Sequence, residues 1–190
     1  MDNKTIPTYE SPEKASARIK ELLENGRKEQ ALKLLSKAFG ETIYWQARRM
    51  VVVHEDAQDV LQESFIRIVK SIDSFKWESK LSSWIYRIVT NESLRLIDSR
   101  NRKLQTQSLD DITKTISTSG FVDLGDKAAI KLQAAIQKLP NKQQATFNLR
   151  YYDDLPYEEI AAIMDSNIAA VKMNYHHAKE RILQILKEND

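Results

Sequence analysis

Residues 75–103 read FKWESKLSSWIYRIVTNESLRLIDSRNRK. A polar loop with two aromatics, Phe75 and Trp77, opens the stretch. Ser82 or Ser83 can then cap a long amphipathic helix, because a serine hydroxyl accepts from the orphan amides of a first turn. Leu81, Ile85, Ile88, Val89 and Leu96 recur at helical spacing and predict a core-facing side. Trp84, Arg87, Asn91 and Arg95 fall on another side, at steps that bring helix residues together. Arg100, Arg102 and Lys103 make the far end basic. Phosphates need cations, and unpaired bases need flat partners and polar reading groups. The stretch supplies all of these within one loop–helix unit. The plainer reading makes the aromatics core and the arginines a complement to the helix dipole.

The composition around this unit favours an all-α chain. Of 190 residues only 4 are Gly and 4 are Pro, and strand-like alternation is scarce. The length suits one large or two small domains. Charged residues make up 29%, yet the formal net charge is only +2, so a nucleic-acid surface must be local. Cysteine is absent, which excludes disulfides and thiolate metal sites. No apolar run approaches membrane-spanning length, and the N-terminus lacks a signal-peptide core, so a soluble cytoplasmic protein is expected.

Taken in order, residues 1–10 read as a mobile tail. Ser11, Pro12 and Glu13 form a helix start, and Asn25-Gly26 a stop. A second helix carries Ala31, Leu34, Leu35, Ala38 and Phe39, with Gly40 as a candidate bend. The run 51–53 (Val51, Val52, Val53) reads as a buried helix end, being short and without a partner strand. A third helix, about 55–72, has Ala57, Val60, Leu61, Phe65, Ile68 and Ile72 inward. Its outer face shows Asp56, Asp59, Gln62 and Glu63, then Arg67 and Lys70; acids at a helix N-terminus need no partner to explain them.

The pattern dissolves over 104–125, which reads as a linker, with a short helix around 109–115 as the runner-up. Asp126 or Asp123 can cap the next helix, which Pro140 ends. Asn141 and Gln144 resemble a capping box. Pro156, Glu158 and Glu159 begin a short helix that ends near Met164. A tight turn at 165–167 leads into a long helix with Val171, Tyr175, Ala178, Ile182 and Ile185 inward. Two helices so joined match a helix-turn-helix. Ala169, Lys172, Met173 and His176 lie on its outer face, and small Ala169 and Ala170 permit close approach to DNA. His176 and His177 point to different faces, so they make a poor metal pair. No cofactor is implied.

Two groups of motifs carry a resemblance. Residues 56–65 (DAQDVLQESF) and 83–88 (SWIYRI) with Asn91 resemble the second conserved region of bacterial sigma factors. Residues 139–144 (LPNKQQ) and 157–161 (YEEIA), through Val171 and Lys172, resemble the fourth. The chain is most similar to the extracytoplasmic-function (ECF) group of the sigma-70 family. The resemblance implies two helical domains: region 2 over 11–103 and a four-helix region 4 over 126–190, joined by the 104–125 linker. It implies core RNA polymerase as partner, met at its clamp coiled coil and flap. Asp56, Asp59, Gln62 and Glu63 are the candidate docking residues. It implies promoter DNA as the second partner, both duplex and melted non-template strand. The −10 element would meet Phe75, Trp77, Ser79, Lys80, Trp84, Arg87, Asn91, Arg95, Arg100, Arg102 and Lys103. The −35 element would meet Asn167, Ala169, Ala170, Lys172, Met173, Asn174, His176 and Lys179. An anti-sigma factor commonly restrains such proteins.

Three departures from the family pattern stand out. Trp77 replaces a common loop glycine, so either the indole stacks on a base or the loop conformation differs. Asp165 replaces a common turn glycine, and aspartate tolerates the left-handed conformation. Met173, Asn174 and His177 make the recognition helix less basic than usual. A stand-alone helix-turn-helix regulator is the alternative function, but it leaves the aromatic loop and the acidic helix without a purpose. An enzyme is disfavoured: His54-Glu55-Asp56 lacks the spacing of a metallohydrolase, and no phosphate loop or nucleophile elbow occurs.

Overall fold

The computed structural model describes residues 11–99, 107–120 and 126–188, all helix and connecting turn. Ser11 accepts from the Lys14 amide and Pro12 sits in the first turn, so α1 (Pro12–Glu24) starts where these residues dictate. Gly26, at φ 69°, turns the chain into α2 (Lys28–Val51), which passes Gly40 without a break. α3 (His54–Ser71) ends in a single 3₁₀ turn, Ile72–Ser74. α4 (Leu81–Ser99) crosses both α2 and α3. The shared core of these helices holds Ile19, Leu35, Phe39, Ile43, Val60, Ile68, Leu81, Ile85 and Val89.

Val52 ends α2 with φ 62° in a γ-turn, closed by the Val53 amide on the Val51 carbonyl at 2.7 Å, a strained conformation that costs about 1–3 kcal/mol. Its side chain is fully buried with Ile112, Ile116, Ile130 and Ala134, which offsets that cost. The expectation of a buried helix end at 51–53 is met. Ile112 and Ile116 belong to α5 (Leu109–Thr118), capped by Ser108, so the stretch read as a linker contains the runner-up helix. Its hydroxyls bond back to carbonyls one turn earlier, which hid the helix behind a loop-like composition.

The C-terminal helices are α6 (Lys127–Gln137), α7 (Asn141–Tyr151), α8 (Tyr157–Ile163) and α9 (Ile168–Glu188). Asp126 caps α6 as expected. The expected capping box is not formed: Pro140 occupies the cap position, Asn141 donates to Asp98, and Gln144 donates to the Met50 carbonyl. Ala135, Ile136, Leu139, Phe147, Ala178 and Ile182 make one core, while Leu149, Ile160, Ile163 and Val171 bind α8 to its neighbours.

The two helical groups meet through apolar contacts, Val52 with Ile130 and Ala134 and Ala145 with the N-terminal core, and through polar groups. The last turn of α2 leaves carbonyls without helical partners. The Arg49 carbonyl accepts from Gln133, Gln137 and Asn148, and the Met50 carbonyl accepts from Gln144. Arg49 itself pairs with Asp153 at 2.8 Å and stacks 4.6 Å over the Tyr152 ring.

Candidate nucleic-acid interface

α4 begins at Leu81, with the Trp84 amide bonded to the Lys80 carbonyl. Ser82 and Ser83 therefore lie inside the first turn and neither is the cap. Leu81, Ile85 and Val89 are buried, and Ile88 and Leu96 half-buried, on the core side. Arg87, Asn91 and Arg95 are exposed on the opposite side, with Trp84 half-buried beside them. Arg95 is held by Glu92 at 2.8 Å, and Glu92 also pairs with Arg67. Glu92 is buried, so this network fixes the Arg95 side chain at the edge of the face. Arg100, Arg102 and Lys103 lie outside the described residues.

The loop before α4 folds its aromatics onto the helix. The Phe75 ring centroid is 4.9 Å from that of Trp77 and 4.9 Å from that of Trp84. Lys20 of α1 stands 5.8 Å over the Trp77 ring. Trp77 has φ 61°, the left-handed conformation that glycine adopts freely. The loop thus keeps at Trp77 a backbone suited to glycine, and the indole packs on Phe75. Ser79 and Lys80 are exposed next to it. A cleft of about 260 Å³ lies here, walled by Trp77, Ser79, Lys80 and the α1 residues Ser16 and Lys20. That α1 helps wall the loop was not read from the sequence.

The Trp77 conformation yields an ordering test. Alanine there keeps the backbone strain and loses the ring, whereas glycine loses the ring and releases about 1–2 kcal/mol of strain. Trp77→Ala is therefore expected to melt lower than Trp77→Gly, by about 1 kcal/mol after the extra chain entropy of glycine is subtracted. Thermal denaturation measures the order, and the reverse order would mean that the loop is not left-handed at this residue.

α3 presents Asp59, Gln62 and Glu63 to solvent, while Asp56 is buried in its first turn and is not on the outer face. The outer face is also more apolar than the sequence reading held. Ile66 is 37% and Val69 is 41% exposed. With half-buried Leu61 and Phe65 they line a shallow cleft of about 690 Å³. The extra signal was Ile66 and Val69 breaking the polar side of an otherwise amphipathic helix.

In the helix-turn-helix, α8 ends in a Schellman motif: the Ser166 amide bonds to the Ala161 carbonyl, and Asp165 takes the left-handed position with φ 49°. Asn167 then caps α9 by accepting from the Ala170 amide at 2.8 Å. Its side-chain oxygen is thus committed to the helix start. Ala169, Lys172, Met173, His176 and Lys179 are exposed on α9, with Ala170 and Asn174 half-buried. Lys172 stands 5.6 Å over Tyr157, and His176 lies 3.4 Å from Glu180. Among the described residues no cluster of three or more metal-ligating side chains occurs. No described helix is long and apolar enough to cross a membrane.

A loop–helix unit and a helix-turn-helix, in that order, define a two-domain helical DNA-binding protein. Residues 35–103 match the family Sigma-70 region 2, and residues 129–182 match Sigma-70, region 4. The chain is 32% identical over 137 residues to the ECF RNA polymerase sigma-E factor of Salmonella typhimurium, covering 67% of this chain and 72% of that one. It is 31% identical over 165 residues to the ECF RNA polymerase sigma factor SigW of Bacillus subtilis, covering 79% and 86%. The fold is also that of CnrH, solved with the cytosolic domain of CnrY (TM-score 0.68, 17% identity, 93% and 99% covered). It matches as well the Bartonella quintana sigma factor RpoE, solved with the anti-sigma factor NepR (TM-score 0.60, 23% identity, 84% and 96% covered). The chain belongs to the ECF group of the sigma-70 family. It is an alternative sigma factor: it binds core RNA polymerase and promoter DNA and directs promoter-specific initiation.

Proposed function

We propose that the division of labour follows the two domains. The outer face of α3 docks on polymerase through Asp59, Gln62 and Glu63 together with the apolar cleft around Ile66 and Val69. The loop and α4 open the −10 element. A base leaving the stack loses a few kcal/mol and must be stacked and hydrogen-bonded in return. Phe75, Trp77 and Trp84 supply rings. Asn91 supplies a donor and an acceptor on one exposed amide. Lys80, Arg87 and Arg95 supply charge for phosphates. α9 enters the major groove at the −35 element with Lys172, Met173 and His176 foremost. The chain contributes binding and no catalytic group. It acts in the cytoplasm, and an anti-sigma factor restrains it, by analogy with the Bartonella quintana sigma factor RpoE, solved with the anti-sigma factor NepR.

The observation that carries this reading is the exposed α4 face, with Trp84, Arg87, Asn91 and Arg95 in line beside a packed aromatic loop. Its test is reconstitution with purified core polymerase and run-off transcription from genomic fragments. Transcription that needs both components is the expected result; tight duplex binding without polymerase, and no association with core, would restore the stand-alone regulator. Within that assay, Asn91→Ala is expected to cost open-complex formation about 1–3 kcal/mol, the worth of one good base contact. Association with core stays unchanged. An equal loss of both would remove Asn91 from the base-reading role.

A further inference from the structure

One buried acid of the N-terminal domain has no part in either binding face as assigned. Glu92 follows Asn91 on α4, and its side chain is only 4% exposed. A buried carboxylate is costly unless cations and hydrogen bonds surround it. Glu92 draws them from two helices. Its Oε1 pairs with Nε of Arg67 on α3. Its Oε2 accepts from Nε of Arg95, three residues further along α4, at 2.9 Å, and lies 2.8 Å from Nη2 of the same guanidinium. Two arginines on one carboxylate leave a positive charge in excess. Glu63 on α3 also approaches that Nη2, but at 4.0 Å it is beyond hydrogen-bond reach.

Glu92 engages Arg95 along the Nε–Nη2 edge. The Nη1 end keeps its donors, and the Arg95 side chain is 61% exposed. A guanidinium held on one edge still presents donors suited to a phosphate. Arg67 takes the other carboxylate oxygen, which tethers Glu92 to α3 and makes it a fixed anchor for Arg95. Charge alone argues the opposite sign for this acid. A carboxylate near a bound phosphate repels it, and neutralising Glu92 would then tighten DNA. At an exposed guanidinium such a charge is worth at most about fivefold in affinity. Ordering a free arginine costs up to about thirtyfold, because its rotamer freedom is given up. Glu92 orders Arg95 before DNA arrives, so ordering outweighs repulsion.

We infer that Glu92 is a positioning residue for −10 opening: it holds the Arg95 guanidinium in place for a phosphate of the melted strand. The inference rests on the −10 reading of Arg95. It gives the two acids near Arg95 different parts. Glu63 belongs to the docking face, so bound polymerase covers it and leaves Glu92 as the acid that aims the guanidinium.

The test uses full chains bound to saturating core polymerase, on a promoter recovered by run-off transcription. Exchanging a buried ion pair for apolar groups of similar size often leaves stability equal or higher. Arg67→Met with Glu92→Met therefore removes the grip on Arg95 without stranding a buried charge, and its melt should lie at or above the parent. Open complexes should nonetheless form about three- to tenfold more slowly, part of the cost of ordering a free arginine. The slope of log rate against log salt should become shallower by about one, the mark of one lost phosphate contact. Arg95→Ala should show the same change of slope, and adding it to the methionine pair should slow opening no further than Arg95→Ala does alone. Glu92→Gln, which keeps the shape and loses the charge, should also slow opening, where repulsion alone predicts faster opening. Undiminished opening by Arg95→Ala removes Arg95 from the −10 face and the inference with it. Slow opening by Arg95→Ala with native or faster opening by the methionine pair overturns the positioning role and leaves the −10 reading standing. A triple variant slowed by the product of the two effects overturns it too, because Glu92 would then act on something other than Arg95.

Discussion

Ile66→Glu with Val69→Glu is expected to abolish co-elution with core RNA polymerase while leaving the fold intact. Both side chains stand on the outer face of α3, 37% and 41% exposed, so their replacement gives up some packing within the folded chain and leaves the core residues of α3 in place. Glutamate is a better helix former than isoleucine or valine, so the helix itself is not weakened. A docked partner, however, would cover these two residues. Fully burying an aliphatic side chain is worth about 1.5–3 kcal/mol, and docking can cover only the exposed two fifths of each, so losing two removes about 1–2.5 kcal/mol. At 1.4 kcal/mol per decade that is a loss of about 5- to 60-fold in affinity, and the desolvation of two new carboxylates adds the larger part. Asp59→Arg with Glu63→Arg should also abolish association, but through charge, so its effect shrinks as salt rises whereas the apolar one does not. Circular dichroism spectra of both variants should match the parent; the Asp59→Arg, Glu63→Arg melt should lie close to it, and the Ile66→Glu, Val69→Glu melt lower, since it gives up the covered part of two aliphatic side chains. Undiminished association of the Ile66→Glu, Val69→Glu chain would move the docking surface off this cleft.

The sequence carried what periodicity and caps can carry. The inward side of α4, the Ser11 and Asp126 caps, and the turn at Asp165 all follow from neighbours within one or two helical turns. What it hid is long-range. Ser83 reads as a cap in sequence, yet its hydroxyl belongs to Glu159, 76 residues away. Gln144 reads as half of a capping box and Gln133, Gln137 and Asn148 carry no local signal of a role, yet all four are buried. They lie in two pairs spaced four apart on faces otherwise apolar, which was the available signal. Their purpose, to satisfy the last carbonyls of α2, depends on a neighbour no local pattern names. Asp56 failed for a related reason: an acid near a helix start suits the dipole whichever way it points. Trp77 is the reverse case, since the resemblance identified the position and only the backbone angle showed how a tryptophan replaces the glycine.

Three of those hidden amides converge on the Arg49 carbonyl, and at the Arg49 side chain the other large effect is expected. The Arg49 side chain is 20% exposed and that of Asp153 only 8%, and Oδ2 of Asp153 has no hydrogen-bond partner among the described residues. Burial raises the Asp153 carboxyl above its ordinary value, and the Arg49 guanidinium opposes that rise. Arg49→Leu removes the opposition and leaves a buried, unpaired carboxylate. Were the interface to stay shut, the cost would be about 3–5 kcal/mol. Parting of the domains hydrates Asp153 and caps the loss, so the variant should open at a temperature where the parent stays closed. The sign of the pH dependence follows from the raised folded value. The closed form binds a proton more readily than the open one. Its stability is therefore fullest below the ordinary carboxylate value and is lost as pH rises through the folded value. The penalty of Arg49→Leu should accordingly be small in acid and full at neutral pH. Adding Asp153→Asn should restore closure at neutral pH, because asparagine is uncharged and still accepts from the Tyr86 hydroxyl, now 3.3 Å from Asp153. The remaining deficit, about 0.5–2 kcal/mol, is the lost guanidinium stacking on Tyr152. A dye pair at Lys37→Cys and Lys187→Cys, exposed positions on the two helical groups of a chain without cysteine, followed against temperature at acid and neutral pH, reads all of this. A penalty that does not change with pH would mean that the charge of Asp153 is not what Arg49 holds in place.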